Sequence, residues 1–434
     1  MGIYFFLIKI AALLGHRKAK LLVEGQANTL NLLRQEGAER WRNAIWFHAA
    51  SVGEFEQARP IIEAIYASTA ALNDRSAVGP ATPDRPKMIL TFFSPSGFEM
   101  RKNYDKVDGV FYLPFATHRN AVRFLTALQP KMAIFIKYEF WPAYLKELKR
   151  RAIPTYSVSA IFRESQLFFK PWGGAYRSLL HCFTKLFVQD EASKALLNKF
   201  QIDEVEVTGD TRFDRVSEIA KVPKALPLLE QFAERPLSLK DRSAVRPPSA
   251  EGKRILMAGS TWPEDEELLA RYVEEHEDVK LVLVPHEIDE EHLHRIFQIF
   301  KGQFVRYTQT TPMNIQHTRV LVVDTMGLLS SLYRYADVAY IGGGFGVGIH
   351  NTLEAAVYGI PVLFGPNYQR FREAVGLIAA GASRSVSNYD ELRDGLDNAF
   401  ANQAQMGAKA KAFVENGCGA TQRILGSLKL TTKN

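Results

Sequence analysis

Short apolar runs alternate with amphipathic helical stretches along most of the 434 residues. In the first half, strand-length runs fall at 44–48, 88–93, 109–113, 132–136, 154–158, 186–188 and 205–207. Their near-continuous apolar character suits strands buried on both faces. Helical spacing fills most of the gaps, as at 54–67 and 119–128. The second half repeats the pattern, with runs at 254–257, 280–284, 320–323, 338–341 and 361–364. Such alternation predicts βαβ units and parallel sheets. The chain also exceeds the roughly 250–300 residues at which one hydrophobic core stops growing, so the pattern predicts two α/β domains.

Two stretches break the rhythm. Residues 213–252 hold Pro223, Pro227, Pro236, Pro247 and Pro248 among many charges and predict a connector with some helix. Residues 68–87 interrupt the first domain. The pentapeptide Asp-Arg-Ser-Ala-Val occurs in both, at 74–78 and 241–245, but two short matches in polar loops do not make a structural repeat. The expected division is 1–20 as a hydrophobic leading segment, 21–210 as the first domain, 211–252 as the connector and 253–434 as the second domain.

The leading segment is almost wholly apolar to Gly15 apart from Lys9, and His16, Arg17, Lys18 and Lys20 follow. As a helix, fifteen residues reach about 22 Å, short of a roughly 30 Å hydrocarbon core. No basic residue precedes the apolar run and no small-x-small site ends it, which disfavours a signal peptide. Two readings stay open: an interfacial anchor, in which Tyr4, Phe5, Phe6 and Leu7 lead into a basic cluster suited to an anionic leaflet, and a helix packed on the first domain.

Charge adds a bias. The formal net charge of +7, with a pI near 9.1, favours anionic partners without choosing among them. Cys182 and Cys418 lie far apart, so neither a disulfide framework nor a zinc site is expected.

Chemistry concentrates after the strand-like runs. Ser51-Val52-Gly53-Glu54 follows the first run and opens a helix. Ser-x-x-Glu is a capping box, yet a carboxylate at the carboxyl end of a strand is also placed to accept a proton. Lys137-Tyr138-Glu139-Phe140-Trp141-Pro142 follows a later run, either as part of a site or as a surface ion pair over a packed Trp. Arg212, within Gly209 to Asp214 at the expected domain boundary, has the fork that grips phosphate or carboxylate bidentately, although arginines at domain edges are common.

In the second half, Gly259-Ser260-Thr261 follows a strand-like run. Small residues there let backbone N–H groups approach a phosphate, or Ser260 or Thr261 caps the next helix. The run from Gly342 to Gly348 precedes His350-Asn351-Thr352-Leu353-Glu354. So many glycines cost chain entropy and call for a close backbone approach. No register of this run fits G-x-G-x-x-G, because Val347 or Ile349 falls at the third glycine, and no Walker A motif occurs. A glycine loop remains, feeding a helix whose first turn carries Asn351 and Glu354. That carboxylate can accept ribose hydroxyls while the helix terminus faces a phosphate.

Taken in order, these segments resemble the Kdo transferases of lipopolysaccharide biosynthesis over nearly the full chain. The resemblance rests on residues 46–54, Tyr112-Leu113-Pro114-Phe115, Glu139-Phe140-Trp141-Pro142, residues 209–214, Ala258-Gly259-Ser260-Thr261, Asp324-Thr325-Met326-Gly327, His350-Asn351 through Glu354, and residues 361–366.

It implies an α/β fold of the GT-B type, two Rossmann-like domains facing a central cleft, with the acceptor on 21–210 and the CMP-sugar on 253–434. It further implies inverting, metal-independent transfer of Kdo from CMP-Kdo to a lipid A precursor at the cytoplasmic face of the inner membrane. CMP-Kdo is then a substrate, no cofactor is required and no nucleic acid is a partner. Glu54 becomes the general base, with Glu139 a further catalytic candidate and Arg212, where the family usually has lysine, stabilising charge as CMP departs. Gly259, Ser260, Thr261, Pro285, His286, Met326, Gly327, Leu328, Asn351, Thr352, Leu353 and Glu354 would hold the donor. Lys137, Ser51 and Gly53 are candidate contacts to the sugar carboxylate or the acceptor.

Three departures stand out. The family's Glu-x-Glu-x-Trp-Pro begins with Lys137, its Pro-Arg reads Pro285-His286, and its Asp-Thr-Met-Gly-Glu-Leu carries Leu328 in place of glutamate. The rivals are another GT-B enzyme using a UDP-sugar, as transferase or epimerase, and a catalytically silent lipid- or nucleotide-binding membrane protein.

Overall fold

The computed structural model describes residues 2–75, 86–222, 224–234, 253–315, 317–346 and 348–430. The repeated pentapeptides, Pro223, the second part of the expected connector (235–252) and Val347 therefore fall wholly or partly outside the described residues. Two compact units emerge, Met1–Arg215 with Cys418–Asn434, and Val216–Gly417.

The first unit is built on β1 (Ile45–Ala49), β2 (Met88–Phe92), β3 (Gly109–Tyr112), β4 (Met132–Ile136), β5 (Thr155–Ala160), β6 (Lys185–Val188) and β7 (Val205–Val207). They form one parallel sheet in the order β3-β2-β1-β4-β5-β6-β7. Every residue of β1 and β2 is buried, as strands covered on both faces must be. Alternation along β1 sends Trp46 to one face, among Phe124, Phe135 and Tyr144, and Phe47 to the other, among Phe55 and Ile61. The chain runs outward from β1 to β3 and returns to β4 on the other side. The strand order therefore reverses between β1 and β4, where ligands gather in open α/β sheets.

The second unit contains β8 (Arg254–Thr261), β9 (Val279–Pro285), β10 (Val305–Arg306), β11 (Val320–Val322), β12 (Val338–Ile341), β13 (Val362–Phe364) and β14 (Ser383–Ser385). Its parallel sheet has the order β10-β11-β9-β8-β12-β13-β14, and its reversal lies between β8 and β12. The sequence pattern does not mark β10 and β14, which are two and three residues long, sit at the sheet edges and carry polar residues.

The end of the chain departs from the expected division. Residues from Cys418 onward belong with the first unit, where the helix Ala420–Ser427 places Ile424 and Leu425 in the core beside Phe47 and Ile61. Asp214 fixes its start, accepting the N–H of Gly419 at 2.5 Å and of Thr421 at 2.7 Å. Within the expected connector, the helix Pro227–Ala233 is part of the second unit, burying Leu229 and Phe232.

The leading helix, Gly2–Leu13, packs on the first unit by one side. Phe5 is buried, with its ring 4.5 Å from Phe115 and 6.4 Å from Trp141. Phe6, Leu7, Leu13 and Leu14 stand exposed. Among the described residues, no helix is long and apolar enough to cross a membrane.

Candidate functional site

At the reversal in the first sheet, the segments after β1 and β4 bring acidic side chains together. Glu54 lies in the first turn of the helix Val52–Arg75. Its N–H donates to Ser51 Oγ at 3.4 Å, and its Oε2 accepts the N–H of Ala50 at 2.5 Å. The cap is thus real, and the capping carboxylate is also chemically perturbed. Burial and then the charge of Glu139 push the Glu54 carboxyl up to about 7, against the pull of backbone N–H groups and Lys137. A side chain added at Gly53 would meet only Ser51 Oγ, at 4.0 Å, so the approach beside Glu54 is open.

Glu139 is held from two sides. Trp141 Nε1 donates to its Oε2 at 2.6 Å, and His48 Nε2 lies 3.1 Å from the same oxygen. His48, a polar residue inside an otherwise apolar strand, is fully buried, and its Nδ1 lies 2.9 Å from Thr91 Oγ1. The same Nδ1 lies 3.1 Å from the Thr91 carbonyl oxygen, and Trp141 Nε1 lies 3.1 Å from His48 Nε2, so the imidazole is held at both nitrogens. Lys137, at φ 55°, takes the left-handed backbone that turns the chain after β4. Sequence reasoning placed His48 and Trp141 in a motif without a role; the signal available for His48 was a lone imidazole in a buried strand.

Arg212 is brought to the same helix by another route. Its Nε and Nη2 both donate to Asp210 Oδ2, at 2.9 and 2.8 Å. The other carboxylate oxygen accepts from Gln57 Nε2 at 2.9 Å, one turn beyond Glu54.

In the second unit, the segments after β8 and β12 meet at the other reversal. Ser260 has φ 55°, and Thr261 donates its hydroxyl to Glu266 Oε1 at 2.9 Å. Neither caps the following helix. That helix, Pro263–Glu275, begins after Trp262, whose N–H donates to Asp265 Oδ2 at 2.9 Å. The same oxygen accepts the N–H of Gly343 at 2.9 Å, and Oδ1 accepts the Tyr340 hydroxyl at 2.7 Å. Burial pushes the Asp265 carboxyl up while these three donors pull it down, and the carboxylate ties the glycine loop to the turn after β8. Sequence reasoning missed Asp265; its signal was the acidic opening Glu264-Asp265-Glu266 of a helix.

Several glycines answer to protein rather than ligand. A side chain at Gly259 would strike the Tyr333 hydroxyl at 2.0 Å, one at Gly342 the carbonyl of Ser260 at 2.4 Å, and one at Gly344 Gly365 Cα at 2.5 Å. Gly346 alone among the described glycines of the loop faces open space. The helix expected to carry Asn351 and Glu354 in its first turn is Leu353–Ala356, with Glu354 in its first turn and Asn351 ahead of it. A four-residue helix has little dipole to offer a phosphate. Asn351 instead donates Nδ2–H to Glu354 Oε1 at 3.1 Å, while Thr352 and Leu353 are buried. Met326 and Gly327 form an exposed turn, and Leu328 follows at the start of the helix Leu329–Leu332. Pro285 is buried at the end of β9, and His286 stands exposed after it. His350, absent from the expected set, lies against His286, their ring centroids 4.5 Å apart.

Residues 24–215 match the family model described as 3-Deoxy-D-manno-octulosonic-acid transferase (kdotransferase). Relatives bearing the name 3-deoxy-D-manno-octulosonic acid transferase align over most of both chains. That of Rickettsia felis is 25% identical, covering 90% of this chain and 79% of its own. That of Aquifex aeolicus is 24% identical, covering 88% and 94%. That of Bordetella pertussis is 27% identical, covering 89% and 86%. Among solved structures, the UDP-GlcNAc 2-epimerase of Neisseria meningitidis superposes with a TM-score of 0.60 at 16% identity, covering 89% of this chain and 99% of its own. Acinetobacter baumannii MurG does so with 0.50 at 13%, covering 89% and 99%. With two parallel-sheet α/β units, these neighbours make the fold GT-B.

Proposed function

We propose that this chain is a Kdo transferase that moves Kdo from CMP-Kdo to a lipid A precursor with inversion at the anomeric carbon, a reading supported by the family-model match to residues 24–215 and by relatives aligned over most of both chains. The comparisons support a glycosyltransferase that transfers Kdo in lipopolysaccharide biosynthesis. The observation carrying the finer reading is the Glu54 carboxyl, raised to about 7 at the carboxyl edge of the first sheet.

An acceptor hydroxyl is a poor nucleophile at neutral pH. A carboxylate with raised basicity accepts its proton as the oxygen bonds to the anomeric carbon, a contribution of about 10²–10⁴ in rate. The bond from that carbon to the phosphate oxygen breaks and CMP leaves with the electron pair. Glu139, fixed by Trp141 and His48, keeps negative charge near Glu54 and so strengthens it as a base. The nucleotide is assigned to the second unit, at Ser260, Thr261, His286, Met326, Gly327, Asn351 and Glu354, and Arg212 is assigned to offset charge as CMP departs. No metal has a part in this reading, since fixed N–H dipoles and cationic side chains can meet charge on the leaving phosphate.

The proposed place of work is the cytoplasmic face of the inner membrane, with peripheral attachment. The exposed Phe6, Leu7, Leu13 and Leu14, next to Arg17, Lys18 and Lys20, support it. Incubating purified protein with freshly generated CMP-Kdo and tetraacylated lipid A precursor, with products weighed by mass spectrometry, tests the reaction. Turnover of UDP-GlcNAc with CMP-Kdo ignored would overturn it.

A further inference from the structure

Three aromatic rings meet at the carboxyl edge of the second sheet. His286, after β9, stacks on Trp262, after β8, with centroids 5.0 Å apart and planes 21° from parallel. His350, beyond the glycine loop that follows β12, lies 4.5 Å from His286 on a 34° tilt. The three thus come from three neighbouring strands at the reversal of strand order. Trp262 Nε1 and His350 Nε2 are both buried and have no hydrogen-bond partner among the described residues. Buried polar atoms are normally hydrogen-bonded, and two left without a partner in rings that meet at the same strand ends point to a polar group that they receive.

We propose that Trp262, His286 and His350 form an oxyanion subsite that takes up one proton together with its ligand. The inference rests on the Kdo transferase reading, in which the oxyanion is the phosphate or the sugar carboxylate of the donor. Trp262 supplies an N–H that carries no charge and cannot be lost to pH. The imidazoles supply the charge, and at 4.5 Å they cannot both hold it cheaply. Burial and then His286 push the His350 ring down to about 4, so without an anion that ring is neutral.

The charged groups of the surrounding elements leave the pair to respond to a ligand. Asp265 is engaged by Gly343, Trp262 and Tyr340, and Glu266 by Thr261 and His292. Glu354 is engaged by Asn351. Glu264 is exposed at the start of the following helix, Glu287 follows His286 in the chain, and the charge that acts on His350 is that of His286. An oxyanion arriving at these rings stabilises one imidazolium. Its affinity then rises as pH falls, where the family's arginine at this position would hold its charge at every pH.

Titration calorimetry on the full-length protein tests this, with CMP, free Kdo and cytidine as separate probes at pH 6 and pH 8. For the wild type, CMP or Kdo binds more tightly at pH 6, with net proton uptake, while cytidine binds equally at both. His286→Arg, at an exposed position, removes that dependence, and the wild-type change exceeds the variant's by roughly tenfold. Titration of the CMP phosphate itself is common to both proteins and cancels in that comparison. Trp262→Phe keeps the ring and loses the N–H, so it weakens the anionic probe at both pH values and leaves the pH response. A response confined to CMP assigns the phosphate, and one confined to Kdo the carboxylate. Equal pH responses in wild type and His286→Arg overturn the proposal. If the wild type still transfers Kdo in that case, the subsite alone falls; if neither CMP nor Kdo binds at either pH, the functional reading falls with it.

Discussion

The N–H of Ala50 donates to Glu54 Oε2 at 2.5 Å, which folds the glutamate back over the end of the strand that precedes it. One side chain therefore closes the first turn of a helix and stands at the point where strand order reverses. Capping does not exclude the proposed catalytic role, because the bond that anchors one oxygen leaves the carboxylate's other lone pairs free to accept a proton.

Glu54→Gln keeps an oxygen for the Ala50 N–H and removes the base. Kdo transfer is expected to fall by about 10²–10⁴ while CMP affinity stays within twofold, measured by single-turnover transfer and by calorimetry. Unchanged transfer would take Glu54 out of the mechanism.

The pH dependence follows from the raised Glu54 carboxyl. A base must be ionised, so kcat/KM is expected to rise with pH and to reach half its plateau at about 7. Stability runs the other way. Between 4.5, the ordinary value, and about 7, the folded chain holds a proton that the unfolded chain has released, so stability falls as pH rises through that window. Glu54→Gln should abolish that part of the stability profile in denaturant titrations. Glu139→Gln, which keeps an acceptor for Trp141 and removes the neighbouring charge, should move the acid limb of the rate profile to lower pH. An unmoved limb would show that Glu139 does not set the basicity of Glu54.

Among the described residues, twelve of the fourteen strands were legible because a strand buried on both faces writes an apolar run that length separates from helix. The two missed are the short edge strands Val305–Arg306 and Ser383–Ser385, whose pairing depends on a neighbour and not on their own residues. The return of residues from Cys418 to the first unit was hidden for a related reason. Ile424 and Leu425 announce a buried face but not which core receives it. Glu54 was legible from its position after a strand, and its raised carboxyl was not, because that depends on Glu139, 85 residues later. The glycine run was seen and its cause only partly read, since Gly342 and Gly344 make room for Ser260 and Gly365.

That division of labour in the glycine loop separates two variants. Gly342→Ala puts a carbon 2.4 Å from the Ser260 carbonyl and 2.6 Å from Thr261 Cα, backbone atoms that cannot yield without moving β8. It should cost about 1–3 kcal/mol in thermal or denaturant unfolding and weaken CMP binding with it. Gly346→Ala meets nothing within 4 Å and should leave stability unchanged. If the nucleotide approaches this loop, Gly346→Ala loses CMP affinity at full stability; equal affinity would move the nucleotide elsewhere.

The leading helix makes the last case, because its two sides have different neighbours. Phe5 is 6% exposed against Phe115 and Trp141, whereas Leu13 and Leu14 are 87% and 81% exposed, each three residues before a member of the basic cluster, His16 and Arg17 respectively. Leucines so exposed beside a basic cluster gain from an anionic bilayer surface twice, through apolar burial and through attraction to the headgroups. Leu13→Asp combined with Leu14→Asp removes both gains without touching the Phe5 contact. In vesicle sedimentation, the wild type should pellet with vesicles containing anionic lipid, more weakly at high salt, and the double variant should stay in the supernatant with its unfolding midpoint unchanged. Pelleting of the double variant equal to wild type would remove this helix as the point of attachment.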